Sequence, residues 1–355
     1  MSVPKFASVQ RSFHTELKTR INNYFENTGK STYGNFSLFF KATVLVTAFI
    51  ALYVHLVFFT PATIWALAEC VLIGCVTAAI GFNIMHDGAH GSFSNNKYIN
   101  MFAAFSLNVL GGSSFMWNVK HNIIHHAYTN VDGVDDDIDI QPWMRMSGTQ
   151  PKYKLHKFQH VYFWFLYCLL YILWIFVLDY QKYFKSKIGS MPLKKMTVKD
   201  HIVFWSFKLF NAFLFVGLPI YMVGFTAWII GFIVFTFVAG LVLSLVFQLA
   251  HTVEHTAFPM PAEDTGRMDD EWAVHQIKTT ANFATKNKVV CWLVGGLNFQ
   301  IEHHLFPKIS HIHYPQISKI IKEACQEFGI EYIEYPRVRY AIASHVSFLK
   351  EMGRK

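Results

Sequence analysis

Half of the chain's 18 histidines fall in four short stretches, and their spacing points to metal chemistry. The first stretch is His86-Asp87-Gly88-Ala89-His90, and the second is His121-Asn122-Ile123-Ile124-His125-His126. His251-Thr252-Val253-Glu254-His255 and Gln300-Ile301-Glu302-His303-His304 complete the set. On a helix, residues i and i+4 share a face. His86/His90, His121/His125 and His251/His255 can therefore each aim two imidazoles at one point. Adjacent residues such as His125 and His126 diverge by about 100° and can serve two metals side by side. Imidazole suits zinc, copper, iron and nickel. A tetrahedral zinc uses four ligands, so the full set implies two metals rather than one. His156 and His160 share the i, i+4 spacing beside Lys152, Lys154 and Lys157, and read as ordinary interfacial surface.

The elements that must carry these side chains are apolar. Of 355 residues 53% are hydrophobic and only 15% charged, against about 25% charged in a soluble domain. Four runs can span a hydrocarbon layer of roughly 30 Å as helices: 38–59, 62–85, 202–222 and 225–250. Short uncharged turns join them into two hairpins. The runs at 99–117 and 161–178 are also apolar. For the histidine stretches to meet, the chain must cross an even number of times between them, so 161–178 is expected to lie in the interface, as is 99–117. Between Ala42 and Val119 the only Lys or Arg is Lys97, and basic residues crowd the remaining loops. That asymmetry places residues 86–200 and 251–355 in a cytoplasmic cap. The expected fold is an all-α integral membrane domain, 38–355, preceded by a cytoplasmic arm, 1–37. The net charge of +8 orients the protein; no nucleic-acid motif accompanies it. The five cysteines form no CxxC pair and read as buried apolar residues, and the polar start of the chain has no signal-peptide pattern.

Taken in order, His86–His90, His121–His126 and Gln300–His304 resemble the three histidine boxes of the membrane fatty acid desaturases, HxxxH, HxxxHH and QxxHH. The match runs over about residues 40–310. The QxxHH form resembles the front-end acyl desaturases and the bacterial linoleoyl-CoA-type enzymes. The resemblance implies iron ligands at His86, His90, His121, His125, His126, His303 and His304, and it aligns His255 with a further ligand histidine that ends the fourth span. Gln300 stands where other members have a histidine. His251 stands where the acyl-CoA enzymes have an asparagine held to the metal through water. Each of these two is expected to bind metal or to support a ligand, and Asp87 and Glu302 are expected to hydrogen-bond ligand imidazoles.

The chemistry so implied is insertion of a cis double bond into an acyl-CoA or acyl-lipid chain, with two iron ions as cofactor and O2 as co-substrate. The chain shows no haem-binding HPGG motif, so a separate electron donor is expected: cytochrome b5, or a ferredoxin with its reductase. The membrane would be a bacterial inner membrane or the endoplasmic reticulum. Hydroxylation of a lipid or alkane is the alternative outcome of the same chemistry. A histidine-lined metal transporter is the alternative from another class, although transporters place polar groups near the midplane rather than at span ends. The acidic segment 132–139 lacks EF-hand spacing and reads as a turn whose carboxylates hold ligand histidines. Trp117, Trp143, Trp272 and Trp292 read as tunnel lining or interfacial anchors; Asn118 and Asn122 read as site contacts or caps. His311 and His313 belong to a helical cap.

Overall fold

The computed structural model describes residues 4–8 and 12–355. The fold is mostly helical, and its first helix is set by local chemistry. Ser12 caps α1 (Phe13–Thr28) by accepting from the Thr15 N–H, and Gly29 ends it in a left-handed conformation. Phe13, Leu17, Ile21 and Phe25 recur every four residues, so one face of α1 is apolar. That face is buried against Ile317 and Ile321 of the C-terminal region, together with Ala273 and Ile277. Much of the expected N-terminal arm is therefore packed against the C-terminal region.

Five helices among the described residues are long and apolar enough to cross a membrane. They are α2 (Phe36–Phe59), α3 (Thr63–His90), α6 (Lys154–Lys185), α7 (Val198–Val223) and α8 (Phe225–His251). The fifth is α6: the segment expected at 161–178 extends to 32 residues, because helix-compatible polar residues continue it at both ends. Between α3 and α6, α4 (Lys97–Val109) and α5 (Ser114–Tyr128) form a pair bent by 110°.

Helix α8 is the centre of the bundle, and two glycines allow its neighbours close. A Cβ on Gly240 would lie 2.5 Å from the Cys168 carbonyl oxygen of α6. A Cβ on Gly74 of α3 would lie 2.8 Å from the Phe235 carbonyl oxygen of α8. Phe235, Ala239, Leu243 and Val246 then fill a core with Ile73, Ile80 and Phe82 of α3. The bend between α4 and α5 is pinned by Lys208 of α7. Its Nζ donates to the Gly111 and Ile175 carbonyl oxygens at 2.6 and 3.0 Å and pairs with Asp179 at 2.8 Å.

The remaining elements are short and lie at the histidine end: α9 (Trp272–Lys278), α10 (Lys288–Leu293), α11 (Gln300–Leu305), α12 (Tyr314–Phe328) and α13 (Val338–Arg354). Strands are minimal. Lys187–Ile188 (β1) pairs antiparallel with Met191–Pro192 (β2), and Asn282–Phe283 (β3) pairs parallel with Glu334–Tyr335 (β4). Their role is positional: β3 precedes α11 and ties it to the C-terminal segment.

Candidate metal centre

The first two histidine stretches sit where helical turns widen. In α3 the His86 N–H bonds to Gly81 O, five residues back, just before the first pair. In α5 the whole stretch Asn118–His125 has this wide, five-residue pattern, a feature frequent at functional sites. In such a turn neither i+4 nor i+5 comes back directly over residue i. His125 and His126 therefore fall to either side of His121, and His121 and His125 still bring ligand atoms within 4.8 Å of each other, together with Asp137.

Beside that mixed group, two groups made only of imidazoles result. Potential ligand atoms of His86, His90, His121 and His303 lie within 4.8 Å of one another, as do those of His125, His251 and His304. The adjacent pair His303 and His304 is split between the groups, as divergence of neighbouring helical residues requires. His126 lies between them, its ring centroid 4.6 Å from that of His303 and 4.5 Å from that of His304. Its Nε2 faces the His121 Nε2 at 3.2 Å.

Four of the rings are held from outside through Nδ1. Asp135 accepts from His125 Nδ1 at 3.0 Å, Gln276 Oε1 from His304 Nδ1 at 2.9 Å, and Thr279 O from His251 Nδ1 at 3.2 Å. Tyr314 Oη lies 3.2 Å from His303 Nδ1. A ring whose Nδ1–H is so engaged presents the lone pair of Nε2 inward, the arrangement usual around bound metals. Nε2 of His86, His90, His303 and His304 is buried and has no hydrogen-bond partner. Unsatisfied buried nitrogens cost free energy, so a cluster of them, with partners behind His303 and His304, fits a pair of metal ions. Burial, reinforced by the neighbouring imidazoles, holds His303 and His304 well below the ordinary histidine range. Both rings are neutral and able to ligate.

His251 and His255 exchange their expected importance. Helix α8 ends at His251, and the chain turns through residues 253–256. His255 has φ 75° and is exposed. The i, i+4 relation fails because the helix needed to carry it stops four residues early, so His255 lies outside the cluster. Asp87 also departs from expectation: it accepts from Ser310 Oγ at 2.8 Å and from His311 Nδ1 at 2.9 Å, not from a member of either group. Glu302 likewise turns away, accepting from Asn282 Nδ2 at 2.7 Å and Tyr332 Oη at 2.6 Å. Burial pushes its carboxyl up to about 7 despite those donors. Gln300 is buried, and its Nε2 has no partner.

His156 is not surface. It is fully buried, its Nε2 lying 2.8 Å from Pro142 O. Asn122 Nδ2 donates to Ala89 O at 3.1 Å and joins the first two stretches, whereas Asn118 is exposed. Trp272 Nε1 donates to His126 O at 3.0 Å. Trp117 stacks on His121 at 4.4 Å and lines a cavity of about 690 Å³ that reaches His121, His125 and His251. Thr129, Asn130, Gln276, Thr279 and Tyr314 were not marked by any pattern. They are ordinary polar residues whose role arises only from where the chain brings them.

A bundle of membrane-length helices ending in a buried, two-centre imidazole site defines a class of protein: a multi-pass membrane protein with a site compatible with two metals. The chain belongs to the fatty acid desaturase family, which matches residues 61–336. It is 37% identical to the sn-1 linoleoyl-lipid 6-desaturase of Synechocystis over 97% of this chain and 96% of that protein. It is 36% identical to the enzyme of the same name from Arthrospira platensis, over 96% and 92%. An acyl-lipid (8-3)-desaturase of Physcomitrium patens is 33% identical over 96% of this chain and 72% of its own length. The protein is a fatty acyl desaturase.

Proposed function

We propose that this protein is an O2-dependent, di-iron acyl-lipid desaturase of the front-end type. One iron would be held by His86, His90, His121 and His303, the other by His125, His251 and His304, with His126 between them. Gln300 is assigned to the ligand set or to direct support of it. The observation that carries this reading is the division of His303 and His304, each with a buried and unpartnered Nε2, between two groups of imidazoles.

Two irons bound here would supply activation of O2 and removal of hydrogen from an unactivated methylene. The balance is two hydrogens from adjacent methylenes, one O2, two electrons and two protons, giving an alkene and two waters. The chain's own residues do the rest. Asp135, Gln276, Thr279 and Tyr314 fix ring orientation. Trp117, Phe247 and Leu170 present an apolar wall that seats the acyl chain and keeps water away. The electrons would come from a separate cytochrome b5, or a ferredoxin with its reductase.

The membrane arrangement belongs to the same proposal: α2, α3, α7 and α8 cross, and the site lies on the cytoplasmic side. Supporting this, both ends of α6 are tied to one segment. Tyr162 Oη donates to Trp143 O at 2.7 Å, and Lys182 Nζ reaches Asp136 at 2.9 Å. The test is expression in a host fed defined fatty acids, with double bonds located by mass spectrometry and iron measured in the purified protein. A new bond on the carboxyl side of an existing one is expected. Hydroxylated lipid would select the alternative chemistry, and iron-free protein that moves zinc across liposomes would overturn the proposal.

A further inference from the structure

Helix α8 ends at His251, and a helix that ends inside protein leaves carbonyl oxygens in need of donors. Residues 249–253 are all buried, so the donors have to come from the chain. The Ala281 N–H donates to Ala250 O at 2.7 Å, and Asn130 Nδ2 donates to His251 O at 2.8 Å. The next carbonyl, Thr252 O, is met by an imidazole of the C-terminal helix α13, with His345 Nδ1 2.6 Å away. A carbonyl only accepts, so Nδ1 carries the proton and Nε2 accepts from Tyr167 Oη at 2.8 Å.

His345 is fully buried, and Phe163 stands edge-on to its ring at 5.3 Å. Burial pushes it down to about 4, so the ring is neutral. Its neighbours grip the same reversal of the chain. Ser344 Oγ accepts from the Glu254 N–H at 2.9 Å, and Tyr335 Oη of β4 donates to Glu254 O at 2.6 Å. Further along α13, Phe348 and Leu349 pack with Phe163 and Tyr167 of α6.

The two nitrogens of His345 thus reach two parts of the site. Thr252 follows His251, whose ring lies 4.8 Å from that of His125 and 4.7 Å from that of His304. The His251 ring itself is held from behind at Thr279 O, 3.2 Å from Nδ1, at the long end for such a bond. Its placement therefore leans on the backbone at 251–252. Tyr167, on the other side, lines the cavity that reaches His121, His125 and His251.

We propose that His345 is a positioning residue for the second group of imidazoles. By capping Thr252 O it fixes the end of α8, and with it the point where His251 meets His125 and His304. This rests on the two-iron reading above and extends the site to the C-terminal helix, which carries none of the four histidine stretches.

The test reads iron rather than turnover. Purified protein in detergent is dialysed against a chelator, and iron per folded protein is followed with time. Two amide substitutions separate the contacts of the ring. In His345→Asn the amide nitrogen stands in for Nδ1 and can donate to Thr252 O. In His345→Gln the amide stands in for Nε2, beside Tyr167, and Thr252 O loses its donor. His345→Gln should release iron roughly tenfold faster than wild type, the lower end for loss of a group that supports a metal ligand. His345→Asn should keep the wild-type rate, as should Tyr167→Phe, which leaves the bond to Thr252 O in place. Arg145→Lys loosens the far end of α13, where Arg145 donates to Met352 O at 2.8 Å, and should lower the melting temperature with no change in iron release. Wild-type iron retention in His345→Gln overturns the proposal, and so does an equal loss in His345→Asn or Arg145→Lys. Wild-type protein that binds no iron overturns the underlying reading, and does so before any variant is measured.

Discussion

Replacing Gln276 with leucine tests whether the groups behind the histidines matter as the geometry requires. Gln276 is fully buried, and its Oε1 accepts from His304 Nδ1 at 2.9 Å and lies 3.0 Å from Thr129 Oγ1. Leucine keeps most of the volume and removes the acceptor. A buried donor left unsatisfied costs about 1–3 kcal/mol, and loss of such a partner behind a metal ligand lowers metal affinity or activity about 10–100-fold. Here Thr129 Oγ1, 3.3 Å from His304 Nδ1, remains as a partial acceptor. Its own proton is already directed to His125 O at 2.7 Å. The expected loss is therefore at the lower end, about tenfold. The assay is iron retained per folded protein during dialysis against a chelator, with turnover measured at limiting iron. A Gln159→Leu variant separates this from general destabilisation, because Gln159 is equally buried but bonds only Arg145 and Leu349. Gln159→Leu should lower the melting temperature without changing iron per folded protein. Wild-type iron retention and turnover in Gln276→Leu would refute the reasoning.

Two further predictions use other parts of the structure. His251→Ala should abolish product and reduce bound iron, whereas His255→Ala should retain both and alter stability by no more than about 0.5 kcal/mol, as exposed sites usually do; product analysis and iron content check the pair, and the reverse pattern would count against the end of α8 at His251. Lys208→Met leaves Asp179 buried without its cation, at a cost of roughly 3–5 kcal/mol. Thermal unfolding in detergent should show a large loss, partly recovered in Lys208→Met/Asp179→Asn; no recovery in the double variant would mean that the carbonyl contacts at Gly111 and Ile175 carry the effect.

How much was legible depended on the range of the interaction. Periodic apolar runs determine helices locally, so α2, α3, α7 and α8 could be read with boundaries near those observed. Spacing likewise marked the histidines, and a repeated residue type at i, i+4 survives wherever the helix does. It misled at His255 because termination of α8 depends on the packing of residues 251–256, including the bond from Thr256 Oγ1 to His251 O. The full length of α6 escaped for a similar reason: its polar ends look like interfacial flanks until segment 136–143 packs against them.

Asp87 and Glu302 show a different limit. A carboxylate next to one of these histidines in sequence points to another side of the helix, so both found partners in distant segments, at Ser310 and His311 and at Asn282 and Tyr332. The residues that do steady the imidazoles come from 129–135, 276–279 and 314, and nothing in their spacing announces them. The sequence by itself determined a membrane-length helical protein with enough imidazole for two metals. Which histidines share a centre was decided by the tertiary structure, because helical phase sets directions only within one element. Convergence of α3, α5, α8 and α11 sets where those directions meet.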